Sequence, residues 1–90
     1  MTVLENINAL LRSNSLEEAL KVAQEAVEHH PDNAEVLYAR GKVYWRMQRR
    51  AEAITDYTAS ARIAPDGPGA VALEQAQAVL DFYNPDMLNP

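Results

Sequence analysis

The chain contains no cysteine, which excludes a disulfide framework, a thiolate metal site and a cysteine nucleophile. Three glycines and five prolines punctuate its 90 residues, and none of the glycines builds the kind of loop that cradles a phosphate. No apolar run approaches the ~20 residues that cross a bilayer, and Met1-Thr2-Val3-Leu4-Glu5 lacks a basic region leading into an apolar one. The expectation is a soluble, cytoplasmic chain with no membrane partner. A basic excess is also missing. The net charge of −5 argues against a general nucleic-acid binder, because attraction to phosphate supplies most of such affinity.

What is present is helix-forming and apolar. Hydrophobic residues make up 48% of the chain, enough for one modest core. Ala and Leu abound, and with Glu, Gln, Arg and Lys these residues lose little conformational freedom in a helix. The charge is unevenly spread: residues 34–50 hold Arg40, Lys42, Arg46, Arg49 and Arg50 against Glu35 alone, so one basic helix is expected inside an acidic protein.

Helix starts and stops follow from local chemistry. The first helix runs from about Thr2 to Arg12, with Val3, Ile7, Leu10 and Leu11 facing inward. Ser15-Leu16-Glu17-Glu18 has capping-box form and opens a second helix with the stripe Leu16, Ala19, Leu20, Ala23, Ala26 and Val27, ending before Pro31. Asp32 or Asn33 caps a third, whose apolar positions are Val36, Leu37, Val43, Tyr44 and Met47, with Gly41 in its middle. A fourth, from about Ala51 to Ile63, carries Ala53, Ile54, Tyr57 and Ala61 and stops at Pro65. Pro68 suits the first turn of a fifth, which continues through Val71, Leu73, Ala76, Val79 and Leu80 to about Tyr83, before Asn84-Pro85.

A shift of 34 residues brings Arg12 onto Arg46, Glu18 onto Glu52, Ala19 onto Ala53, Pro31 onto Pro65 and Asp32 onto Asp66. The same shift carries Val3 onto Leu37, Leu10 onto Tyr44, Leu11 onto Trp45 and Leu20 onto Ile54. Two antiparallel helices closed by proline at this period are the pattern of tetratricopeptide repeats. The chain resembles that family most clearly in Ala34-Glu35-Val36-Leu37-Tyr38-Ala39-Arg40-Gly41-Lys42-Val43-Tyr44, followed by Ala53, Tyr57 and Pro65. The first repeat keeps Leu10, Ala19, Ala26 and Pro31 but has Asn6 and Ile7 where the family prefers Leu and Gly. In the second, Ser60 replaces a small Ala and Gln48-Arg49 replaces a glycine-containing turn.

The resemblance implies an all-α fold, an α-α superhelix of antiparallel hairpins: repeat 1 over residues 1–33, repeat 2 over 34–67, a capping helix over 68–83 and a tail over 84–90. Ala19, Ala26, Pro31, Leu37, Gly41, Tyr44, Ala53, Tyr57 and Pro65 are its packing positions, with Ala53 expected against Gly41. It implies a protein-binding module, an adaptor or scaffold with no cofactor and no catalysis. Its concave groove, lined by the first helix of each repeat, would hold a peptide segment, acidic in character, against Asn8, Leu11, Arg12, Tyr38, Lys42, Trp45, Arg46 and Arg49. The opposed expectation has Trp45 in the core and the arginines merely solvated. The carboxylate clamp of some family members is not matched: Leu4, Ala39, Gly69 and Leu73 stand where it needs polar or basic groups.

His29-His30 near Asp32 is no convincing metal site, since adjacent helical residues diverge by about 100°. No nucleophile–base arrangement suggests an enzyme. The apolar tail Phe82-Tyr83-Asn84-Pro85-Asp86-Met87-Leu88-Asn89-Pro90 is expected to fold back on the last hairpin, the alternative being a homodimer through the array ends.

Overall fold

The computed structural model describes residues 2–83, with side chains through Asp81. Five helices follow one another: α1 (Val3–Arg12), α2 (Leu16–His29), α3 (Ala34–Arg46), α4 (Arg50–Ile63) and α5 (Pro68–Tyr83). Among the described residues there is no strand. Each helix packs on the next in chain order, and α1, α3 and α5 also touch side by side, so the chain is a layered stack of hairpins. The expectations for Phe82, Tyr83 and the tail concern side chains and residues outside those described.

The turns repeat as faithfully as the helices. Asn14 (φ 60°) and Gln48 (φ 65°), 34 residues apart, both adopt the left-handed conformation. At the first turn Ser15 N–H reaches Leu10 O at 2.8 Å and Asn14 N–H reaches Leu11 O at 3.0 Å. At the second Arg49 N–H reaches Tyr44 O at 2.9 Å and Gln48 N–H reaches Trp45 O at 3.1 Å. Both are Schellman closures, which satisfy the orphan carbonyls at the end of a helix and favour glycine in the left-handed place. Pro31 and Pro65 are likewise equivalent: each follows the residue that closes its helix, His30 onto Ala26 O and Ala64 onto Ser60 O, both at 2.9 Å.

Two local expectations change and one is narrowed. Ser15 makes no capping bond to α2; held by the preceding closure at ψ 69°, its hydroxyl lies 3.0 Å from that of Ser13 instead. The capping box belongs to α1, where Thr2 Oγ1 accepts from Glu5 N–H at 3.1 Å and Glu5 Oε1 accepts from Thr2 N–H at 2.8 Å. Val3, expected to face inward, is 40% exposed, and Val71 and Val79 of α5 are 55% and 37% exposed; all three lie on outer helices of the stack. The third helix is capped by Asn33, whose Oδ1 accepts from the N–H groups of Glu35 and Val36.

Two cores meet at Leu20. The first holds Ile7, Leu11, Ala19, Ala23, Ala39 and Val43; the second holds Tyr44, Ala53, Tyr57 and Ala76. Ile7 and Val43 are wholly buried, and each such aliphatic side chain contributes roughly 1.5–3 kcal/mol. Gly41 does mark a close crossing. Its nearest neighbours are not Ala53 but the Tyr57 ring and Asp56 Cβ, and a β-carbon at Gly41 would stand 2.6 Å from Tyr57 Cε1. Asp56, 3% exposed, carries the second surprise: Arg40 grips its carboxylate with two hydrogen bonds of 2.8 and 2.7 Å. Ser60 is buried because its hydroxyl donates to Ala34 O at 2.7 Å, tying α4 to the start of α3.

Candidate functional site

On the side of the stack formed by α1, α3 and α5, the 34-residue period sets which positions align. Three columns of equivalent positions run across the helices: Leu4, Tyr38 and Ala72; Asn8, Lys42 and Ala76; Leu11, Trp45 and Val79. Between α3 and α5 lies an open depression of about 330 Å³, walled by Tyr38, Lys42, Trp45, Tyr57, Ala72, Gln75, Ala76 and Val79. A smaller one of about 120 Å³, between α1, α3 and the start of α5, shares Tyr38 and Lys42 and adds Leu4, Asn8, Glu35, Ala39 and Pro68. The two form one groove centred on Lys42.

Lys42 is held in an unusual state for a cation. Its Nζ donates to Asn8 Oδ1 at 2.9 Å and lies 4.8 Å from the centre of the Tyr38 ring. No carboxylate pairs with it among the described residues. Partial burial therefore pushes its pKa below the ordinary lysine value, the charged form losing water without gaining an anion. Trp45 is partly buried against the second core and forms the groove wall at the same time, so the two opposed expectations for it meet in one side chain. Tyr57 contributes its ring from below, and burial raises its hydroxyl to about 12, keeping it neutral.

The remaining expected groove residues are dispersed. Leu11 is 7% exposed and belongs to the first core, because its position on α1 faces α2 and α3 rather than the cavity. Arg12 is exposed at the end of α1. Arg46 turns back to the first hairpin, donating to Leu11 O at 3.3 Å and Asn14 Oδ1 at 3.2 Å. Arg49 leaves the groove altogether: it stands at the N-cap before α4, pairs with Glu52 at 2.7 Å and lies over the Tyr44 ring. Its neighbour Arg50 takes the place beside Trp45, 4.8 Å from the indole, with its Nε buried and unpartnered and its Nη2 donating to Gln48.

The far wall on α5 was missed by the sequence reading. Ala72, Ala76 and Val79 were within reach, since the shift that relates α1 to α3 also carries Tyr38, Lys42 and Trp45 onto them. Arg50 carried no such signal; which of two adjacent arginines faces the indole depends on where the left-handed turn ends.

A family model described as Tetratricopeptide repeat matches residues 4–68. The chain belongs to the tetratricopeptide-repeat family. A search of curated proteins found no match. Tetratricopeptide repeats are in general protein–protein interaction modules on a non-catalytic fold. Among the described residues no cluster of three or more His, Asp or Glu side chains could hold a metal, and no helix is long and apolar enough to cross a membrane.

Proposed function

We propose that this tetratricopeptide-repeat protein is an adaptor that holds a peptide segment with an acidic residue in the groove between α1, α3 and α5. The observation that carries this reading is Lys42: a half-buried ammonium facing an open cavity, flanked by Tyr38 and Trp45, with an amide and a ring for company but no anion among the described residues. A carboxylate arriving there would restore the partner that burial denies it, while the aromatic walls cover apolar side chains on either side. Arg50, 4.8 Å from the Trp45 ring, adds a second positive charge next to that wall residue.

Trp45 is the single tryptophan of the chain, so its emission reports on the groove directly. Titration with a short peptide containing an Asp flanked by Leu and Phe is expected to shift that emission to the blue. Lys42→Met should weaken binding by about tenfold, the scale of a lost charge-assisted contact, and added salt should weaken the wild type far more than the variant. Equal affinity of both proteins for the acidic peptide and its Asp→Asn counterpart would sink the reading. A second reading, self-association through the array ends, is favoured by the exposed Val71 and Val79 of α5; sedimentation as a dimer at micromolar concentration would support it.

A further inference from the structure

Two features of the groove ask for the same cover. The Lys42 ammonium has an amide and a ring beside it and no carboxylate among the described residues, so its lost hydration is not made good by an anion. Next to it the α5 wall is low: Ala72 and Ala76 stand where α3 has Tyr38 and Lys42, and Val79, in line with Trp45, is 37% exposed. These small side chains leave the depression of about 330 Å³ open on its α5 side.

The sequence that follows α5 carries the complementary chemistry. Asn84-Pro85-Asp86-Met87-Leu88-Asn89-Pro90 has one acid, two large apolar side chains and no lysine or arginine. Proline cannot continue a helix, and an Asn-Pro pair favours a change of direction. The reach also fits. From Ala76, in line with Lys42, α5 rises about 10 Å to its end at Tyr83. The chain from Tyr83 to Asp86, when extended, spans about 10 Å in return, and the four-carbon stem of Lys42 covers what the turn takes up.

We propose that residues 84–90 return along the groove between α3 and α5 and set Asp86 against Lys42, so that the chain occupies its own binding site until a better acidic segment displaces it. The closure rests on the reading of the groove as a site for an acidic segment and adds its regulation. Asp86 supplies the charge-assisted bond that Lys42 lacks, and Met87 and Leu88 cover the apolar wall at Ala72 and Ala76. Tethered at the edge of the groove, the tail meets Lys42 at millimolar effective concentration, so a weak contact holds it. The same tail from a second copy arrives only at the bulk concentration of the protein, which favours closure within one chain. A partner must therefore bring larger apolar side chains than Met87 and Leu88 around its acid.

The test begins with the full chain alone. Lys21 and Lys42 are its only lysines, so carbodiimide coupling, which joins an amine to a carboxylate in contact with it, gives few products. Mass mapping of the monomeric fraction is expected to show Lys42 joined to Asp86, and D86N is expected to lose that link. Lys42 joined to no residue of the tail, or joined to Asp86 only in a dimer, overturns the closure. The second arm titrates wild type and D86N with the Asp-containing peptide flanked by Leu and Phe, read by Trp45 emission. D86N is expected to bind it about tenfold more tightly, since a groove open roughly one-tenth of the time binds ten times more weakly. Equal affinity overturns the closure and leaves the groove reading standing. A peptide that binds neither protein while the Lys42–Asp86 link forms removes the partner reading and keeps the closure.

Discussion

The two hairpins solve one crossing in opposite ways. In the first, Ile7 of α1 is wholly buried and the facing helix gives way with Ala23; in the second, the equivalent positions are Gly41 and Tyr57, so the bulk moves from the first helix to the second. Beside the crossing, Asn6 and Val22 in the first hairpin become Arg40 and Asp56 in the second, and Ala26 becomes Ser60. The lesson is that a repeat keeps the volume of a crossing rather than the residues on either side of it, while the polarity beside it is free to change. Ile7, a departure from the family's glycine, is therefore no defect, because Ala23 yields the space that Ile7 takes.

That comparison can be broken most severely at the polar pair. Arg40→Met leaves the Asp56 carboxylate buried without its partner, and a loss of roughly 3 kcal/mol in urea unfolding is expected, against a much smaller loss for Asn6→Met in the first hairpin. Next comes volume. Gly41→Leu should cost roughly 1–3 kcal/mol by driving into the Tyr57 ring, and adding Tyr57→Ala, which imports the arrangement of the first hairpin, should recover a good part of it. A double variant no better than the single one would show that the hairpins do not share one exchangeable crossing.

The paired turns give a smaller, opposite effect. Gln48→Gly is expected to raise stability by about 1 kcal/mol, since glycine enters the left-handed region without a β-carbon clash. Asn14→Gly should give less, because asparagine tolerates that region better and its Oδ1 already receives Arg46. Smallest of all are the surface carboxylates. Glu5 lies below the ordinary carboxylate range through its hydrogen bonds with Thr2, and Glu52 through its hydrogen bond from Arg49. A carboxylate whose folded pKa is depressed stabilises the protein above its unfolded value near 4.5 and loses that contribution as pH falls through the folded pKa. Unfolding curves between pH 5 and about 3 should accordingly be shallower in pH for a Glu5→Gln, Glu52→Gln double variant.

Much of the fold was legible because it is local. Helix spans, the equivalent prolines and the period all rest on residue spacing, and spacing survives in a linear text. Asp56 was not legible: it sits in an apolar stripe, and only the approach of Arg40 from another helix gives it a reason to be buried. Ser15 failed for a related cause, since the closure that ends α1 fixes its backbone before its side chain can cap α2. Of the groove, the centre at Tyr38, Lys42 and Trp45 was legible by register, whereas Arg46, Arg49 and Leu11 were claimed by neighbouring contacts that no single helix reveals.

Leu20 packs into both cores, and this makes the short array mechanically one piece. Loosening either hairpin strips cover from a side chain the other depends on, so the penalty for partial melting is shared across the interface rather than confined to one end. Heat should consequently remove α1 to α4 in a single calorimetric step, and shortening Leu20 to Ala should split that step before it merely lowers it.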